Sequence, residues 1–393
     1  TITATKTFTA YFVTSPLDFE DQTIRKDYST AEQEATIQSA ENGTGNYNYS
    51  IFSQKDSSSS TVTYFSIQGD KLKIAERTPA DTYAVVITAT DTGSGASVNA
   101  TYTVTIRQLT VGKPTVSIST SGVVTWTAAT NATGYEISIN GITWTAVTDT
   151  EATNRSKNYL GTIIGETGSR TVYIKAVNGD ATNFDMSDST GTASVNVYTV
   201  TFNSESTTKG TVDTASYNVI SGATVTPSSN VMTVKGAGNT TLKTVTATAN
   251  TGYTFSAWKE NATTISTEQT ITATKTYTAN FSANALTFGG KTITKTYNPN
   301  SAEKENITAA QNGTGSYTYT VTSQKIHGTN TTVSYFSVTE STKFTIAANT
   351  PAGTYDTVVT VTDNGSGVTA TANYPLAEVA IDTNAYIEEK DSL

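Results

Sequence analysis

Apolar and polar positions alternate along most of the chain. In TYAVVITAT, Tyr83, Val85, Ile87 and Ala89 fall on one side, and Ala84, Val86, Thr88 and Thr90 on the other. A period of two predicts a β-strand with one buried face. Far downstream, Tyr355, Thr357, Val359 and Val361 repeat the pattern. Pro79 and Pro351 stand before these strands, in turns where a missing backbone donor does little harm. Asp91-Thr92-Gly93 and Asp363-Asn364-Gly365 follow them, with side chains suited to Asx turns and positive φ. Each strand is therefore expected to turn back into a last strand. Long runs with helical period are missing, so the expected class is all-β.

Self-comparison adds a longer period. ITATKTFTAYF from Ile2 returns as ITATKTYTANF from Ile271, and LDFEDQTIRKDY from Leu17 as LTFGGKTITKTY from Leu286. NGTGNYNY from Asn42 returns as NGTGSYTY from Asn312, and TPADTYAVVITATDTGSG from Thr78 as TPAGTYDTVVTVTDNGSG from Thr350. The repeat is about 270 residues, too long for one solenoid unit and suited to three sandwich modules of about 90 each. The expected organisation is a final strand of a preceding module at 1–12, segment A1 at 13–107, segment B at 108–199, segment C at 200–283, segment A2 at 284–378 and a C-terminal extension at 379–393. Because residues 1–12 match the closing strand of C, the sequence reads as a window on a longer array. The same strand offers self-association by addition to a neighbouring molecule's sheet.

The two A segments, through their Thr-Tyr strand and Asp-x-Gly-Ser-Gly turn, resemble cadherin-like and related immunoglobulin-like repeats of bacterial surface proteins. That resemblance raises calcium, which such families bind between modules through acidic motifs. Asp91 and Asp363 match the hairpin acid, while the family's Glu-bearing motif and its Asn-Asp linker have no counterpart. Asp18, Glu20 and Asp21 cluster in A1 but become Thr287, Gly289 and Gly290 in A2. A hard cation wants six or more oxygens, so these acids are read as turn and surface residues. Segment B resembles a fibronectin type III module, with Trp126 and Tyr135 as core aromatics and Ala176 and Asn178 on a late strand. Arg170 stands where that family has an aromatic, and Tyr173 falls on the other face. Trp144 is the better candidate for stacking on a sugar. Segment C, through Gly252, Tyr253, Phe255, Trp258, Ala279 and Phe281, resembles the divergent listerial internalin B-repeat, a small β-grasp-like module. Its aromatics are expected to make one wall of a small core.

Composition narrows the function. The 393 residues carry a net charge of −9, with a pI near 4.8, and no clustered Lys and Arg to bind phosphates, so nucleic acid is not an expected partner. Cysteine is absent, which excludes disulfides and thiolate metal sites. No apolar run reaches the roughly 18 residues of a membrane span. The single histidine, His327, sits in SQKIHGTN, which reads as a hairpin tip. A Ser-His-Asp arrangement needs a positioned base and an orienting acid, and the scattered carboxylates do not suggest a glycosidase pair. No catalytic, cofactor-binding or metal residue is assigned, and no cofactor is expected. The sequence reads as a tandem array of Ig-like and fibronectin type III-like β-sandwiches with one β-grasp-like module, not an enzyme. Its expected role is a semi-rigid stalk or adhesion segment of an extracellular, cell-surface bacterial protein, with a protein or glycan ligand. Alternatives are a carbohydrate-binding accessory array of a secreted enzyme and a bacteriophage virion surface or fibre protein. Lys–Asn isopeptide cross-links are a further expectation for a cysteine-free stalk.

Overall fold

The computed structural model describes residues 4–11, 15–296, 298 and 300–380. They are almost entirely β-structure, interrupted by short helices at Asp149–Asn154 and Leu160–Ile163 and a 3-10 turn at Ala237–Asn239. The chain divides into two compact units. One comprises the chain up to Ile118 with Val123–Tyr159 and Thr171–Ser194; the other comprises Ser119–Gly122, Leu160–Arg170 and the chain from Val195 onward. Segment B thus contributes to both.

In the first unit, A1 is a two-layer sandwich. One sheet runs in the order Gln22–Asp27, Ser97–Arg107, Asp81–Asp91, Tyr47–Lys55, and the other in the order Gln33–Thr36, Lys71–Ile74, Phe65–Gln68. The first strand pairs parallel with Ser97–Arg107; the other neighbours are antiparallel. The alternation expected for Asp81–Asp91 is present, with Tyr83, Val85, Ile87 and Ala89 buried. They join Phe19, Leu72, Ile74, Tyr102 and Val104 in one core. Tyrosine serves here where phenylalanine would fill the same space, because each phenol reaches a backbone group. Tyr83 Oη donates to the Pro79 carbonyl at 2.8 Å, Tyr49 Oη accepts from Ala40 N–H at 3.0 Å, and Tyr102 Oη accepts from Gln38 N–H at 3.2 Å.

Segment B packs Trp126 against Tyr135 at 5.6 Å between ring centres. Both are buried, with Val172, Ile174 and Ala176 on the same interior. Tyr173 falls on the opposite face, as its parity requires. The sequence reading had no helix here. The helix at Asp149–Asn154 starts in a capping box, Thr148 accepting from Glu151 N–H while the Glu151 carboxylate accepts from Thr148 N–H. That pair satisfies two donors a helix start leaves open.

In the second unit, C and A2 each close a core. In C, Phe202 lies between Trp258 (6.3 Å, edge-on) and Tyr277 (6.2 Å, stacked), and Phe255 touches Trp258 and Phe281. The closing strand Lys275–Ala283 pairs parallel with Val200–Ser204 and antiparallel with Tyr253–Lys259. The core interior is Val200, Phe202, Val225, Val234, Trp258 and Tyr277 with their neighbours. A2 repeats A1. Tyr355 Oη donates to the Pro351 carbonyl, Tyr319 Oη accepts from Ala310 N–H, and Tyr374 Oη accepts from Thr308 N–H. Its last strand, Leu376–Ala380, runs across the expected boundary at 378; residues 381–393 of the expected extension lie outside the described residues.

Residues 5–11, expected as a closing strand, carry no strand. Phe8 is 88% exposed and Tyr11 is 90% exposed. Phe8 corresponds to Tyr277, which is fully buried in C. A strand is held by a ladder neighbour and by a core that its apolar face covers, and none pairs with these residues among the described residues. Residues 1–3 and 12 of that expected strand lie outside the described residues.

Candidate functional site: aspartate-locked loops, module junctions and an exposed aromatic

The period of two does not stop at Ala89. Asp91 and Asp363 take the next inward positions of their strands, and both are fully buried. The sequence reading made them turn and surface acids; the parity of their strands was the signal that placed them inside. Each carboxylate ties together two loops distant in sequence. Asp91 accepts from the backbone N–H of Thr44 (3.1 Å) and Ser94 (3.2 Å) and from both hydroxyls. Asp363 accepts in the same way from Thr314 and Ser366, backbone and hydroxyl. The glycines are part of this lock. A Cβ on Gly93 would lie 2.4 Å from Thr44 Oγ1, and one on Gly365 would lie 2.5 Å from Thr314 Oγ1.

Hydrogen bonds from Ser94 and then Thr44 hold the Asp91 carboxyl down to about 2. At Asp363, burial pushes the carboxyl up, but donors from Ser366 and Thr314 outweigh it and the net shift is downward. A carboxylate ringed by four donors has its lone pairs committed to protons. The other acids do not complete a cation shell. Asp18 and Glu41 exchange backbone hydrogen bonds, and with Glu20 they border a cavity of about 60 Å³. Asp21 is turned away, its Oδ1 accepting from Thr101 N–H at 2.6 Å. Among the described residues, no three His, Cys, Asp or Glu converge on a point where a metal could sit.

Two junctions are closed by specific contacts. Between A1 and B, Asn183 Oδ1 accepts from Ala80 N–H (2.8 Å) and the Asn183 carbonyl accepts from Leu109 N–H (2.9 Å). The expected linker is itself ordered: Leu109–Thr110 pairs parallel with Phe184–Asp185, and Tyr28 meets Phe184 edge-on at 5.7 Å. Between C and A2, Tyr253 Oη donates to the Gly365 carbonyl at 3.2 Å. Tyr253, expected in the core wall of C, thus points its hydroxyl out of it.

The remaining candidates are surface features. Trp144 is half-buried, edge-on to Tyr173 at 6.5 Å with Lys175 Nζ 5.8 Å from its ring. The lysine ammonium thus lies over one face of the ring. Phe52, which sequence reasoning passed over, is 70% exposed at a β-bulge in the edge strand Tyr47–Lys55. It borders an open groove of about 550 Å³ with Ser50, Gln54, Thr61 and Ser66, and no charged residue lines it. In A2 the corresponding residue is Thr322, whose hydroxyl bonds that of Thr360. His327 Nδ1 lies 2.8 Å from Asp356 Oδ1, with both side chains more than half exposed. Lys343 donates to Asn306 Oδ1 on an exposed ladder pair, and in A1 Lys71 donates to Thr36 at the same place. Both side chains of the Lys343–Asn306 pair sit at the surface.

No family model matches the chain, and no curated protein matches it. Among solved structures, Sidekick-1 immunoglobulin domains 1–5 align at 12% identity over 94% of this chain and 81% of that one, with a TM-score of 0.19. Drosophila N-cadherin EC1-3 aligns at 9% identity over 92% and 99%, with a TM-score of 0.19. A SusE-like surface located polysaccharide binding protein from Bacteroides thetaiotaomicron aligns at 13% identity over 94% and 74%, with a TM-score of 0.20. These are tandem Ig-like and cadherin-like arrays and a surface binding protein. At such TM-scores they say nothing of ligands, and the all-β class of this chain rests on its own strands.

Proposed function

We propose that this chain is a non-catalytic structural stalk or adhesion segment of an extracellular, cell-surface bacterial protein, one that spaces or presents a binding region. The observation that carries this reading is the way the buried groups are spent. Fully buried side chains gather in separate small interiors around Tyr83, Trp258 and Phe344. The junctions of A1 with B and of C with A2 are closed by hydrogen bonds instead of loose linkers. The buried acids, Asp91 and Asp363, fasten loops. The resemblances of B to fibronectin type III modules and of C to internalin B-repeats support bacterial surface origin. Self-association through residues 4–11 belongs to the same reading, since Phe8 and Tyr11 are exposed apolar rings.

A second reading is favoured by one observation, the uncharged groove beside Phe52. An exposed ring flanked by the hydroxyls of Ser50, Thr61 and Ser66 suits stacking and hydrogen bonding to a neutral sugar. A glycan array probed with the native chain and with Phe52→Ala separates the two. The stalk reading predicts equal, background-level retention of both. A glycan held by the native chain and lost by at least about tenfold in the variant, about 1.4 kcal/mol, would make carbohydrate binding the function.

A further inference from the structure

In A2, the loop pair fastened by Asp363 is covered in part, at Gly313 and Thr314. The Thr251–Tyr253 turn of C lies on it, with Tyr253 Oη donating to the Gly365 carbonyl. A Cβ on Gly252 would come within 2.8 Å of Thr314 N and 2.9 Å of the Gly313 carbonyl carbon, so only glycine permits this approach. Gly252 also has φ +85°, in the left-handed region. Its carbonyl accepts from Asn284 N–H at 2.9 Å, which fixes the exit of the closing strand of C toward A2. Gly313 is buried and Thr314 half-buried, Gly313 also lying against Leu286 and Tyr317 of A2 itself.

A1 has the same loop pair in the same locked form. Asn42–Gly45 repeats Asn312–Gly315, Asp91–Gly95 repeats Asp363–Gly367 with only Thr92 replacing Asn364, and the carboxylate is held by the matching Thr and Ser. Yet Gly43, Thr44 and Ser94 are exposed where Gly313 is buried and Thr314 and Ser366 are half-buried, while Gly93 and Gly365 are exposed alike. Just upstream, residues 4–11 differ from the closing strand of C only in Phe8 for Tyr277 and Tyr11 for Asn280. The spacing from Thr5 to Leu17 equals that from Thr274 to Leu286, so the connection has the same reach. Both edges that C uses, the loop face and the strand, are thus present on A1 and uncovered.

We infer that the loop pair Asn42–Gly45 and Asp91–Gly95 is a docking face for a module of the C type, received through a Gly-Tyr turn and completed by residues 4–11 as its closing strand. The occupant is specified by the second copy of the same face. The turn must carry glycine where the backbones meet and tyrosine where a hydroxyl reaches the Gly93 carbonyl. A turn with a β-carbon at the glycine position is rejected, as Gly252 shows.

The test joins a second copy of residues 200–270 directly ahead of Ile2 in the full chain and follows amide hydrogen exchange. The proposal expects exchange at Thr44 and Gly93–Gly95, and at residues 5–11, to slow by at least about tenfold relative to the original chain. Gly→Val at the position of Gly252 in the added copy alone should restore fast exchange at the loop pair while residues 5–11 stay protected. Protection of residues 5–11 with no change at the loop pair would overturn the docking face. Unprotected residues 5–11 would overturn the strand that completes the module.

Discussion

At the scale of single residues, the most informative side chains are the two buried aspartates. A buried carboxylate is costly unless its oxygens are hydrogen-bonded, and Asp91 is repaid by four donors from two loops. Its folded pKa, about 2, lies below the unfolded value of roughly 3.9. The sign follows from linkage. The contribution of Asp91 is fully present above about pH 4 and is lost as the pH falls from about 4 to about 2. Asp91→Asn should therefore lower the melting temperature of A1 at pH 7 by at least about 5 °C and reduce the loss of stability between pH 5 and pH 2. Circular dichroism melts of native and variant chains across that range check both parts; identical acid profiles would mean that the carboxylate does not fasten the loops. The alternation that predicted Tyr83, Val85, Ile87 and Ala89 as core also carried Asp91. Asp-Thr-Gly is strong turn chemistry, and by residue type alone it marks the end of the strand. Position in the strand prevailed over residue type because Thr44 and Ser94, distant and adjacent in sequence, supply donors that pattern alone does not reveal.

Elements show the same division between what local pattern carries and what packing decides. The strands of A1 and A2, the aromatic core of C and the paired Trp126 and Tyr135 were legible, because burial imposes a period of two and large aromatics demand an interior. The helix at Asp149–Asn154 was not. Its six residues carry no apolar stripe and none is buried, so only the capping box at Thr148 and Glu151 marks it. The bulges between Ile51 and Ser53 and between Val321 and Ser323 were equally hidden. They let Gln54 and Gln324 turn inward and clamp the backbone of Phe65 and Phe336 with both amide atoms. Junction geometry was the least legible of all, since Asn183 and Tyr253 act on residues far away in sequence. Asn183→Ala should leave the Ala80 N–H without its acceptor and cost about 1–3 kcal/mol. Urea unfolding should show that loss, with faster exchange at Ala80 and unchanged exchange in the core of C. An unaltered midpoint would remove Asn183 from the junction.

For the whole chain, the account rests on stability being held in separate interiors. The core around Trp258 shares no residue with those around Tyr83 and Phe344, so damage to one is expected to stay local. With the apolar surface buried in separate small cores, each core can yield on its own. The most direct measurement is single-molecule stretching of the chain between its ends, repeated with Trp258→Ala, a change expected to cost about 3–5 kcal/mol within C. At least three separate ruptures are expected, each core of about 90 residues releasing roughly 30 nm of chain, with the variant weakening the event that belongs to C and sparing those of A1 and A2. A single rupture releasing the entire length at once, about 140 nm, or a variant that weakens every event equally, would contradict it.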